Sequence, residues 1–110
     1  MRDITTKTAA ILNRTLKKMQ LKTKLKQLKE MNLDAEKLQK AEDLRVWLYN
    51  NQIFVTVDCN RIGEFAYRVS DFSKSINLDN NWSDNTFSTY EEAMEASFVS
   101  ALLMLNKRFE

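Results

Sequence analysis

The sequence predicts an α+β fold: a basic helical segment, then a helix, an antiparallel β-hairpin with room for a third strand, and a C-terminal helix. The helices are expected to pack on one sheet face. Three observations carry this. Apolar residues recur at helical spacing before Gln52, alternate with a period of two from Ile53 to Val69, and return to helical spacing from Tyr90 onward. A single stretch of strand pattern between helical stretches is what one small sheet covered by helices requires.

The first segment, from about Thr5 to Met31, is rich in Lys, Leu, Gln and Ala, all good helix formers. At 100° per residue Ile11, Leu12, Leu16 and Met19 gather on one side, while Leu21, Leu25 and Leu28 gather about 180° away. Either the helix breaks near Met19–Leu21 or its two halves meet different partners. One continuous heptad seam is disfavoured, because it would change sides.

The second helix starts with Asp34 as N-cap and with Leu33 and Leu38 at the positions of a hydrophobic staple. Leu38, Ala41, Leu44 or Arg45, and Leu48 form its apolar stripe, Trp47 lies beside it, and Asn50-Asn51 stops it. Ile53, Val55, Val57 and Cys59 then alternate with Phe54, Thr56 and Asp58, as a strand with one apolar face does. Asn60-Arg61-Ile62-Gly63 reads as the hairpin connection, with Gly63 free to take a positive φ. Phe65, Tyr67 and Val69 mark the return strand. Ile76 and Leu78 are candidates for a short third strand, followed by Trp82 as an anchor in a polar loop. The last helix opens with a capping box, either Ser88 with Glu91 or Thr89 with Glu92, and both glutamates suit the positive end of the helix dipole. Its apolar residues, from Tyr90 and Ala93 to Leu105, run almost around the helix, so it is either central to the core or shared with a second subunit.

With 110 residues and 44% hydrophobic content the chain suits one folded body. The pattern divides it into a basic helical segment over 1–32 and a compact domain over 33–110, with Met31 as an alternative start. No apolar run approaches the roughly 18–20 residues that cross a bilayer. The N-terminus, Met1 to Lys7, lacks the apolar stretch of a secretory signal, and the lone Cys59 has no internal disulfide partner. A cytoplasmic protein without a membrane partner is the expectation.

The chemistry is narrowed by what is missing. The sequence has no histidine, so the usual general base and the commonest metal ligand are absent, and neither Cys59 nor any serine has its ordinary activating partner. One cysteine cannot furnish a zinc site. Gly63 is the only glycine, which rules out the glycine-rich phosphate loops. The reading is therefore a protein that is not an enzyme, with no catalytic residues, no metal and no cofactor.

The net charge of +2 conceals an asymmetry. Residues 1–30 carry Arg2, Lys7, Arg14, Lys17, Lys18, Lys22, Lys24, Lys26 and Lys29 against Asp3 and Glu30, a net +7, and the rest of the chain is a net −5. Arg14, Lys17, Lys18, Lys22, Lys24, Lys26 and Lys29 are the candidate contacts to nucleic acid or to an acidic partner. Phosphate neutralisation by such residues gives salt-sensitive binding without sequence preference. The bland alternative is a solvated helix face. The leading functional reading is an accessory or protein-interaction protein that forms homo-oligomers through its helices; the runner-up is a nucleic-acid-binding accessory protein using the basic helix.

Three lesser patterns have ordinary readings. Asp79, Asn81 and Ser83 fit positions 1, 3 and 5 of a calcium loop, but Asp84 and Tyr90 stand where glycine and glutamate belong. Trp47, Trp82, Tyr67 and Tyr90 are either a pocket or core, and a small body needs aromatic core. Cys59 reads as a small core residue.

Two resemblances accompany these residues. The helix-strand-strand-(strand)-helix order is similar to that of double-stranded-RNA-binding domains. Those carry a lysine cluster at the start of the last helix, where this sequence has Thr89-Tyr90-Glu91-Glu92. The stretch Phe87-Ser88-Thr89-Tyr90-Glu91-Glu92-Ala93-Met94-Glu95-Ala96, followed by Ser100-Ala101-Leu102, resembles the "TYEEAxEA…AL" ending of small proteins of gut Bacteroidetes, their phages and mobile elements. That resemblance implies a helix and a hairpin ahead of the motif. It implies no activity or ligand, so no site residues carry over.

Overall fold

A computed structural model describes residues 4–22, 40–59, 63–73, 82–83 and 85–108. It comprises α1 (Thr6–Lys22), α2 (Ala41–Asn50), β1 (Ile53–Cys59), β2 (Phe65–Asp71) and α3 (Tyr90–Lys107). The fold is α+β, as the change of period predicts. The candidate cap Asp34, the staple Leu33–Leu38, the turn residues 60–62, the strand candidates Ile76 and Leu78, and Leu25, Leu28 and Met31 lie outside the described residues.

The period-two alternation sets the sheet. β1 and β2 pair antiparallel with Ile53 opposite Asp71, Val55 opposite Val69, Val57 opposite Tyr67 and Cys59 opposite Phe65. Opposite residues of an antiparallel pair share a face, so the odd positions form one face and Phe54, Thr56, Arg68 and Ser70 the other. Gly63, leading into β2, takes φ +83°. Ile53 and Val55 are buried, whereas burial fades toward the end of β1 and Cys59 is exposed. This corrects the core reading of Cys59: the alternation continues, but the cover over the sheet does not.

The outer edge of β2 is met by the segment before α3. Phe65 and Phe87 exchange backbone hydrogen bonds of 2.8 Å in both directions, and the Ser83 N–H donates to the Tyr67 carbonyl at 2.7 Å. The Ser83 hydroxyl accepts from the Tyr67 N–H (3.2 Å) and donates to the Asn85 carbonyl (2.8 Å). Among the described residues this bridge takes the position beside β2 that a third strand would occupy.

α3 is central to the core rather than a free apolar surface. It packs against α1 and against both strands. Ala93, Phe98, Ala101, Leu102 and Leu105 are buried along it, while Tyr90 at its start and Leu103 are exposed. Of the two capping boxes, Thr89 is the N-cap: its Oγ1 accepts from the Glu92 N–H at 3.2 Å.

α1 belongs to the same core. Ile11, Leu12, Leu16 and Met19, the four residues grouped by helical periodicity, are all buried with Leu44, Trp47, Leu48, Ile53 and Phe98. α1 thus shares one buried cluster with the elements from Ala41 onward. Two threonines sit on the same buried face, and each has a partner, as a buried hydroxyl must. Thr15 Oγ1 donates to the Ile11 carbonyl at 2.9 Å, and Thr8 with Thr5 donates to the Glu95 carboxylate of α3.

In α2 the inward stripe is Leu44, Trp47 and Leu48, and Arg45 is outside. Asn51 closes the helix, donating from its backbone and its Nδ2 to the Trp47 carbonyl. Gln52 then takes φ +68°, a left-handed turn into β1.

Candidate interaction surfaces

The basic face of α1 follows from the docking of its apolar stripe. With positions 8, 11, 12, 15, 16 and 19 turned inward, Arg14 and Lys17 are exposed on the opposite side, and Lys7, about 10 Å of helix from Arg14, is exposed on the flank toward the start of α3. Lys18 is half-buried at the margin. The sequence of α1 contains no acidic residue. Of the seven candidate contacts, α1 carries Arg14, Lys17, Lys18 and Lys22, and the structure describes the side chains of the first three; Lys24, Lys26 and Lys29 lie outside the described residues.

A second surface went unrecognised in the sequence. Tyr49 at the end of α2, Phe54 on the outer face of β1 and Phe72 after β2 form an aromatic cluster with ring centroids 6.0 Å (Tyr49–Phe54) and 5.5 Å (Tyr49–Phe72) apart. Their exposures are 54%, 45% and 43%, and Val46 beside Tyr49 on α2 is 50% exposed. Farther along the same sheet face the Arg68 guanidinium lies 4.9 Å from the ring of Trp82, a cation–π contact. The only signal in the sequence was the placing of Phe54 on the mixed face of β1. Nothing linked it to Tyr49 or Phe72.

A groove of about 500 Å³ runs between α1, the start of α3 and β2, with Lys7, Tyr67, Phe87, Glu91, Glu92 and Glu95 on its walls. Its polar groups have structural work. Glu95 holds the hydroxyls of Thr5 and Thr8, and the Tyr67 hydroxyl pairs with Ser100 Oγ at 2.8 Å. Glu91 and Glu92 are exposed first-turn residues that complement the helix dipole. The four aromatics weighed as a pocket do not converge: Trp47 is core, Trp82 and Tyr90 are exposed, and only Tyr67 reaches the groove.

A polar cluster ties the end of α3 to the end of β2 and to the turn after α2. Arg108, just past α3, donates from Nη2 to Asp71 Oδ1 at 2.6 Å, from Nε to Asp71 Oδ2 at 3.3 Å and from Nη1 to the Asn51 carbonyl at 2.6 Å. Burial by itself would raise the pKa of Asp71. The Ser73 hydroxyl and N–H, then the Arg108 guanidinium, outweigh it and hold the carboxyl below its ordinary value. This cluster is a clasp in the fold.

Comparison with family models, with curated proteins and with solved structures finds no match to this chain. Among the described residues no helix is long and apolar enough to cross a membrane.

Proposed function

We propose that this is a non-catalytic accessory protein of the kind carried by phages and mobile elements, acting through protein–protein contact and associating with itself through its helices. The observation that carries the interaction reading is the exposed cluster of Tyr49, Phe54 and Phe72 with Val46. Contiguous exposed aromatic surface marks contact sites, because aromatic rings bring large apolar area with few rotatable bonds. The motif at the start of α3 supports the phage and mobile-element part. Sedimentation of the full chain over a wide concentration range tests the reading: mass should rise with concentration, and a monomer throughout would end self-association.

A second reading, nucleic-acid contact through α1, is favoured by the exposed Lys7, Arg14 and Lys17 on a helix without acidic residues. Each phosphate neutralised contributes about −0.9 to the slope of log affinity against log salt on duplex DNA. Replacing these three by glutamine should flatten that slope by about 2.7. Absence of binding to mixed DNA and RNA fragments at low salt ends this reading.

A further inference from the structure

We infer that two copies of this chain pair about a twofold axis across the outer face of α2, with Val46 at the axis and Arg45 of each copy reaching Glu42 of the other. This rests on the self-association reading above and names its surface.

The sequence of α2 sorts into two faces. Leu44, Trp47 and Leu48 turn inward to the core, and Glu42, Arg45, Val46 and Tyr49 span about 100° of the opposite side at 100° per residue. Phe54 and Phe72, packed on the Tyr49 ring, widen this stripe into a surface that continues onto the sheet. Its apolar part is Val46 with three rings, each half exposed. Among the described residues, core and strand occupy the other side of α2, and this face is exposed.

The charges on the stripe select the partner. Glu42 and Arg45 lie one turn apart and pair within the helix at 2.7 Å, with 43% and 45% of their side chains exposed. The stripe therefore carries one charge of each sign and no net charge. A strongly acidic or strongly basic partner gains nothing from it. A second copy, turned by a twofold axis, presents Glu42 to Arg45 and Arg45 to Glu42, which is the self-complementarity an isologous contact requires. With antiparallel α2 helices crossing at Val46, the two backbones stand about 8–10 Å apart. Arg and Glu are long enough to bridge from positions 45 and 42 across that gap. Each aromatic cluster then flanks the axis on one side and covers the first turn of the other copy's α2.

The test uses the full chain with Glu42→Arg and Arg45→Glu made singly, both at exposed positions, and checks by far-UV circular dichroism that the fold is kept. Each variant turns the stripe to a single sign, so each alone should dissociate at concentrations where the unaltered chain is dimeric, and an equimolar mixture should recover the dimer mass. In a Cys59→Ser background, Val46→Cys should form an intermolecular disulfide under air, because a residue on a twofold axis meets its own copy, whereas Leu103→Cys on α3 should not. Single variants as dimeric as the unaltered chain, or no recovery on mixing, would overturn this surface while leaving self-association standing. An unaltered chain that stays monomeric would overturn both.

Discussion

Replacing Arg108 by alanine removes two hydrogen bonds to the Asp71 carboxylate and a 2.6 Å bond to the Asn51 carbonyl, together with a longer contact of 3.4 Å to the Gln52 carbonyl. A net contribution of about 1.5–3 kcal/mol is usual for one hydrogen bond to a charged group. The contributions do not simply add here, because the two side chains keep 24% and 22% exposure, so water re-solvates part of what is lost. Asp71 also retains both bonds from Ser73. The expected loss is about 2–3 kcal/mol in total. At about 2.1 cal/mol/K per residue, a chain of this length unfolds with an entropy near 230 cal/mol/K, so each kcal/mol moves the midpoint by about 4 °C and Arg108→Ala should lower Tm by roughly 10 °C. Arg108→Lys keeps the charge without the planar fork and should lose about half as much. Thermal melts followed by circular dichroism decide it, with all variants at one protein concentration because association shifts Tm. A Tm within about 2 °C of the unaltered chain for Arg108→Ala would refute the clasp.

The same clasp predicts an acid-side effect. The Asp71 carboxyl is held below its ordinary value of 3.8 in the fold, so its stabilisation is complete above pH 3.8 and fades as pH falls through the folded value. Urea unfolding should show the stability gap between the unaltered chain and Asp71→Asn at its widest near neutral pH, narrowing below pH 3.8; a gap independent of pH would contradict this. Leu12→Ala, at a side chain with 0% exposure in α1, should cost about 3–5 kcal/mol by urea unfolding, against a negligible effect if α1 were an appended arm. Thr89→Ala should cost about 1 kcal/mol by removing the N-cap of α3, while Ser88→Ala should leave the melt within experimental scatter.

Patterns within one element were readable from the sequence. The alternation from Ile53 to Val69 marked both strands and their shared apolar face, because a strand's side chains obey a period of two whatever surrounds it. The grouping of Ile11, Leu12, Leu16 and Met19 likewise marked the buried face of α1 before its neighbour was known. Features that depend on which segments meet were not readable. No pattern in the sequence marks Arg108, yet it joins Asp71 and Asn51, 37 and 57 residues away. The Phe65–Phe87 bridge was hidden in a polar stretch without strand periodicity, since two hydrogen bonds can cap an edge without any alternation. The aromatic surface was missed because Tyr49 ends α2, Phe54 lies in β1 and Phe72 follows β2, so no single periodicity links them.

The link between Thr8 and Glu95, 87 residues apart, has a consequence for synthesis. At about 5–20 residues per second the ribosome completes α3 roughly 4–17 s after α1 has been made. Throughout that interval Ile11, Leu12, Leu16 and Met19 have no α3 to cover them, on a helix whose other side is positively charged. A nascent amphipathic helix of this kind is free to be held by a chaperone, or to lie on the phosphate-rich ribosome surface, until its own chain supplies the cover.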